Sequence, residues 1–196
     1  ATVSWGVPQA GATLPLALST CDFQAQLGEK EEGDFVTLLL TKDSSTYGEV
    51  ECSWAAAWPT SENLFPAGFG FIGENNTTCY PEIDLSDPWV PSQNGNNPPN
   101  ECGDADFPDA VFTAMVPLFD DCKYLDDKAK TNPNTACRFE AGPKNGGDWY
   151  HIEKFAYFEV HGYFLSGDMK FQDGLCEGGK KPCIYGKFIR YAGLDE

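Results

Sequence analysis

The stretch Trp149-Tyr-His-Ile-Glu-Lys-Phe-Ala-Tyr-Phe-Glu-Val-His-Gly-Tyr-Phe-Leu165 decides the fold. Its even positions Ile152, Ala156, Phe158, Val160 and Phe164 are apolar. Odd positions hold His151, Glu153, Glu159 and His161, beside Phe155, Tyr157 and Tyr163. Successive side chains of an extended backbone point to opposite faces, so this alternation predicts a half-buried β-strand. Ile152, Phe158, Val160 and Phe164 are then expected on one core face. The segment is long enough to need a bend, and Gly162 offers one.

Working outward, Ile184–Tyr191 reads as a second strand that pairs with the first as a hairpin across Ser166–Pro182. Val111–Phe119 is β-prone but contains Pro117, which predicts an edge or a bulge there. Gly68–Gly73 places Phe69 and Phe71 on one side of an extended segment, and Phe35–Leu40 is a short β-prone run. One helix is expected after Thr13, with Pro15 in its first turn, Leu16, Phe23 and Leu27 on one face, and Gly28 closing it. Trp54–Trp58 is an aromatic and alanine cluster open to either assignment. The 20 Gly and 14 Pro cut the remainder into short pieces, with a long loop over 81–108. The expected fold is therefore α+β, mainly antiparallel β with one N-terminal helix. Residues 1–196 form a single domain, with a polar, disulfide-tied insertion around 121–147.

Composition narrows the function. Five Trp, eight Tyr and 14 Phe in 196 residues are too many for a disordered chain. No apolar run approaches the length of a membrane-spanning helix, so no membrane insertion is expected. Thirteen basic against 30 acidic residues give a net charge of −17, which repels nucleic acid and anionic headgroups. A partner must be neutral or basic, or be recruited through divalent ions.

Eight cysteines, Cys21, Cys52, Cys79, Cys102, Cys122, Cys137, Cys176 and Cys183, are even in number and form no Cys-x-x-Cys pair. With only two histidines, zinc binding has little to build on. Four disulfides in an oxidising compartment account better for them. Short loops predict Cys122–Cys137 and Cys176–Cys183. The other four allow three pairings, of which Cys21–Cys102 with Cys52–Cys79 is preferred. The sequence opens at Ala1 with no basic n-region and no apolar h-region, and the expectation is a mature form or an excised ectodomain.

Catalytic signatures are sparse: there is no Gly-x-Ser-x-Gly and no His-Glu-x-x-His. His151 and His161, ten residues apart, are about 33 Å from each other on an extended strand and cannot share one metal unless the strand folds back. Glu159 and His161 could contribute to a site, although a solvated strand face explains them as well. Asp104, Asp106 and Asp109, with Asn94, Asn96 and Asn97 upstream, are the best candidates for calcium, since hard cations need several oxygens on a turning backbone. Asp120-Asp121 with Asp126-Asp127 reads as a solvated acidic face. Trp54, Trp58, Trp89 and Trp149 suit either a core or a sugar platform.

The order of motifs carries a resemblance. Leu14-Pro15-Leu16-Ala17-Leu18 precedes Cys21-Asp22-Phe23, followed by Gly68-Phe69-Gly70-Phe71-Ile72 and Val116-Pro117-Leu118-Phe119-Asp120. Then come Tyr150-His151-Ile152, Phe155-Ala156-x-Phe158-x-Val160-x-Gly162-Tyr163 and Cys183-Ile184-x-Gly186-x-Phe188. This succession resembles the exported C-terminal region of bacterial Tad/Flp pilus-assembly proteins of the TadE/TadG type. The resemblance implies a non-enzymatic extracellular component, a minor pilin or surface-adhesion protein whose partners are other pilus or cell-surface proteins. No catalytic residues are attributed to that family, and no cofactor is expected beyond the calcium for which Asp104, Asp106 and Asp109 are candidates. The alternative, a secreted carbohydrate- or calcium-binding module, rests on the tryptophans and the acidic loop. A secreted hydrolase is the third reading.

Overall fold

The computed structural model describes residues 12–40, 69–72, 83, 87–93, 102, 107–124, 138–139, 148–166, 169–176 and 182–193. These are mostly strand: β1 (Ala12–Thr13), β2 (Leu16–Ser19), β3 (Phe35–Leu39), β4 (Phe69–Ile72), β5 (Trp89–Gln93), β6 (Phe112–Tyr124), β7 (Arg138–Phe139), β8 (Asp148–Ser166), β9 (Met169–Phe171) and β10 (Cys183–Gly193), with one helix, α1 (Thr20–Leu27). No helix among them is long and apolar enough to cross a membrane.

The strand expected at the centre is there, and it is the one to which most others attach. β8 runs antiparallel to β6 from Asp148↔Tyr124 to Val160↔Phe112. Its other edge takes β5 at Trp89↔His151 and then β10, the expected hairpin partner. β5 pairs with β4, β4 with β2, and β2 with β6. The path β6-β2-β4-β5-β8 thus closes on itself as a five-stranded barrel, and β10 and β3 extend the sheet beyond it.

The sheet is mainly antiparallel, as expected, but it is mixed: β1, β2 and β7 each run parallel to β6 over a short ladder. Parity requires part of this. Strands that alternate direction around a ring of five meet one neighbour running the same way, and here that pair is β2–β6. Pro117 accordingly lies in an interior strand, between the β1 pairing at Ala114 and Met115 and the β2 pairing at Leu118 and Phe119.

The helix starts later than its sequence suggests. Leu16–Ser19 is a strand buried at all four positions, and α1 begins at its N-cap, Ser19, whose Oγ accepts the Asp22 N–H at 3.4 Å. A strand buried on both faces needs apolar residues at consecutive positions, and such a run imitates the start of a helix. The stop falls where expected: Gly28, at φ 58°, donates its N–H to Gln24 O at 2.9 Å. An L side chain disfavours that backbone.

β8 does not keep one apolar face. Leu118 pairs with Lys154 and Phe119 with Ile152, so Glu153 is bulged out; Tyr185 pairs with Gly162 and Gly186 with Val160, so His161 is bulged out too. Each extra residue exchanges the two faces. Ile152 and Phe155 therefore join Ala17, Ile72, Val90 and Phe119, contributed by all five ring strands, in the barrel interior. Ala156, Phe158 and Val160 point the other way, into the larger core with Leu16, Leu18, Phe23, Leu38 and Phe188. Past the second bulge, Tyr163 and Leu165 continue that core, while Phe164 is only half-buried. The single face expected from the even positions is thus divided between two cores.

Two glycines allow this packing. A Cβ on Gly70 would lie 2.5 Å from the ring of Tyr150, which stacks on Phe119 at 4.3 Å between centroids. Gly186 sits against the backbone carbonyl of Glu159, where a side chain has no room. Near the hairpin, Cys176 and Cys183 form the expected disulfide, Cα–Cα 5.8 Å.

Phe158→Ala should cost about 3–5 kcal/mol, because it empties a fully buried site. Gly70→Ala should cost about 1–3 kcal/mol by displacing Tyr150, whereas Ile189→Ala, on the surface, should stay within about 0.5 kcal/mol. Urea unfolding of the oxidised protein checks all three. Equal losses at Phe158 and Ile189 would contradict the assigned core.

Candidate functional site

Val90 and Ile152 point into the barrel, so strand alternation turns their neighbours outward. Trp89 on β5 lies opposite His151 on β8, and Trp149 lies between Pro91 on β5 and Lys123 on β6. On β6 the pairing jumps from Phe119↔Ile152 to Asp121↔His151, which leaves Asp120 bulged. Its carboxylate meets His151, with Oδ1 2.6 Å from Nδ1. The Trp89 ring lies 5.1 Å from the imidazole, and Lys123 Nζ stands 4.2 Å from the Trp89 ring and 5.9 Å from that of Trp149. All five side chains are half-buried. Together they form one aromatic and charged surface on the outer wall of the barrel.

A second polar cluster occupies the β8–β10–β3 extension. His161, at its bulge, places Nε2 2.7 Å from Glu159 Oε1, and Lys187 Nζ is 3.5 Å from the same oxygen. Phe35 contacts the His161 ring edge-on at 5.0 Å and stacks on Tyr185 at 5.3 Å, with Lys187 Nζ 4.9 Å from its centroid. The hydrogen bond from His161 holds the Glu159 carboxyl below the ordinary glutamate value; slight burial opposes this, and Lys187 adds to it. On the opposite face, burial and nearby Glu153 push the Tyr191 phenol upward.

The two histidines are not brought together; each is bonded to its own carboxylate. Among the described residues, no three His, Cys, Asp or Glu converge as a metal site. Asp109 is exposed in the turn before β6, while its expected partners Asp104 and Asp106 lie outside the described residues, as do Trp54, Trp58, Asp126 and Asp127. Cys21, Cys102 and Cys122 are each disulfide-bonded, as are Cys176 and Cys183; Cys52, Cys79 and Cys137 lie outside the described residues. A hollow lined by Leu14, Phe107, Phe112, Val160 and Ile184 is apolar and has no room for a water molecule.

Sequence inspection singles out Trp89, Trp149 and His151 separately but does not join them. Two-residue spacing does bring Trp149 and His151 to one face. Asp120 reaches them only through its bulge, for which Pro117 nearby is the sole local signal. Comparison of the chain with protein-family models, curated proteins and solved structures gives no match.

Because the Glu159 carboxyl is held low, whatever its pairing contributes is complete above the ordinary glutamate value and is lost as pH falls through the depressed one. His161→Ala should move the Glu159 midpoint upward in a side-chain carboxyl NMR titration. An unmoved midpoint would contradict the hydrogen bond.

Proposed function

We propose that this chain is a non-enzymatic extracellular protein, a pilus-associated or surface-adhesion component acting through protein contacts. The observation that carries this reading is the Trp89–Lys123–Trp149–His151–Asp120 surface, which faces outward from the barrel. Tryptophan beside charged groups is the composition of interface hot spots, where a flat partner can desolvate rings and charges together. Disulfide-bonded Cys21, Cys102, Cys122, Cys176 and Cys183 suit an oxidising compartment. The motif order that resembles TadE/TadG-type proteins supplies the pilus context.

A carbohydrate-binding module is the second reading, favoured by two indoles sharing one face. Sugar rings bind by stacking on a bare aromatic face, and Lys123 already stands over Trp89. A cation over the ring stands where a stacking sugar would lie, which disfavours this second reading.

Benzoylphenylalanine placed at position 149 and irradiated on intact source cells tests the proposal. The expected product is a crosslink to a pilus or other surface protein, and Trp89→Ala should weaken binding of that protein by about 2 kcal/mol. Crosslinks confined to polysaccharide, with glycan binding lost in Trp89→Ala, would favour the second reading and contradict the first.

A further inference from the structure

Among the described residues, β3 is the last strand of its sheet, and its strand pairing is to β10 along one edge. Its even-numbered residues face β10: Phe188 donates to Asp34 O at 3.2 Å, and Leu40 donates to Pro182 O at 2.8 Å. Antiparallel pairing alternates, so Phe35, Thr37 and Leu39 turn their N–H and C=O groups to the open side. What that side accepts is shown at Leu39. Its N–H donates to Gln26 Oε1 at 2.5 Å, and its carbonyl accepts from Gln26 Nε2 at 3.2 Å. The side-chain amide of α1 stands where one peptide unit of a neighbouring strand would stand.

Phe35 and Thr37 present the same groups with no such partner among the described residues. Exposed edges are ordinarily protected by lysine, proline or a bulge. Phe-Val-Thr-Leu-Leu has none of these. Phe35 is 41% exposed and backed by Tyr185, so it offers an apolar contact beside the edge. Exposed Glu29, Glu31, Glu32 and Asp34 lead into the strand, accompanied by a single cation, Lys30.

We infer that the open edge of β3 receives an extended segment of a basic partner protein, which adds a strand at Phe35 and Thr37. Main-chain hydrogen bonds supply the attachment, an apolar side chain lies against Phe35, and Lys or Arg beyond it meets Glu31, Glu32 and Asp34. A second copy of this chain is the wrong occupant. Edge-to-edge pairing would bring two chains of net charge −17 together along their acidic stretches. The inference goes beyond the reading above and needs no role for Trp89 or Trp149.

The probe is a synthetic peptide, acetyl-Thr-Phe-Thr-Val-Thr-Lys-Lys-amide, titrated into the oxidised full chain and followed by amide NMR. Shifts should centre on Phe35 and Thr37. N-methylation of alternate peptide amides, or glutamate in place of its lysines, should each weaken binding about tenfold or more. Thr37→Pro removes only an outward N–H and should weaken binding to the same extent while leaving the melting temperature nearly unchanged. Should that variant unfold, the N-methylated peptide decides alone. No binding at millimolar peptide, equal binding of the N-methylated form, or shifts centred on β5 and β8 would overturn the inference. So would sedimentation showing that the protein alone dimerises through β3. None of these outcomes touches the crosslink expected at position 149.

Discussion

Pairing of β8 with β6 is the constraint on which the rest of the molecule depends. The two strands run together over most of their length, and both ends of the chain path return to them: β2 joins β6 from one side, and β5 joins β8 from the other. Closure leaves no open edge within the ring and gives the small barrel a filled interior. β8 must also serve β10 and the larger core, so its residues cannot all face one way. The bulge at Glu153 resolves that conflict where the strand passes from one core to the other, and the bulge at His161 shifts the parity again so that Tyr163 and Leu165 stay in the larger core.

Register also helps to generate the polar surfaces. Asp120 reaches His151 where the β6 ladder slips beside it, whereas Glu159 and His161 are already neighbours at two-residue spacing. Lys123 and Lys187 join them from the adjacent strands, making two compact clusters. Both lie on outer surfaces, on opposite sides of the β8 strand. The proposed contacts use outer walls and an edge for the same reason: the barrel interior is occupied by Ala17, Ile72, Val90, Phe119, Ile152 and Phe155.

Much of the fold can be read from local pattern. The period-two stretch over β8, the β10 hairpin, the Cys176–Cys183 bridge and the Gly28 stop each follow from residues close in sequence. What escapes is non-local. Nothing around Leu16–Leu18 says that apolar residues there serve two cores rather than one helix face. The parallel β2–β6 pair follows only once the ring is known to have five strands. Likewise Trp89, Lys123 and His151 come from three strands far apart in sequence, so their meeting depends on ladder register rather than on any motif.

The most direct test of this account is methyl NOE spectroscopy at Ile152 in the oxidised chain. Face exchange at Glu153 predicts that its methyl groups contact the ring interior, notably Ile72, Val90 and Phe119, and not Leu38 or Phe188. A simple unbulged strand would put Ile152 on the side of Phe158. NOEs from Ile152 to Leu38 and Phe188, with none to Ile72, would contradict the closed barrel and the surfaces built on it.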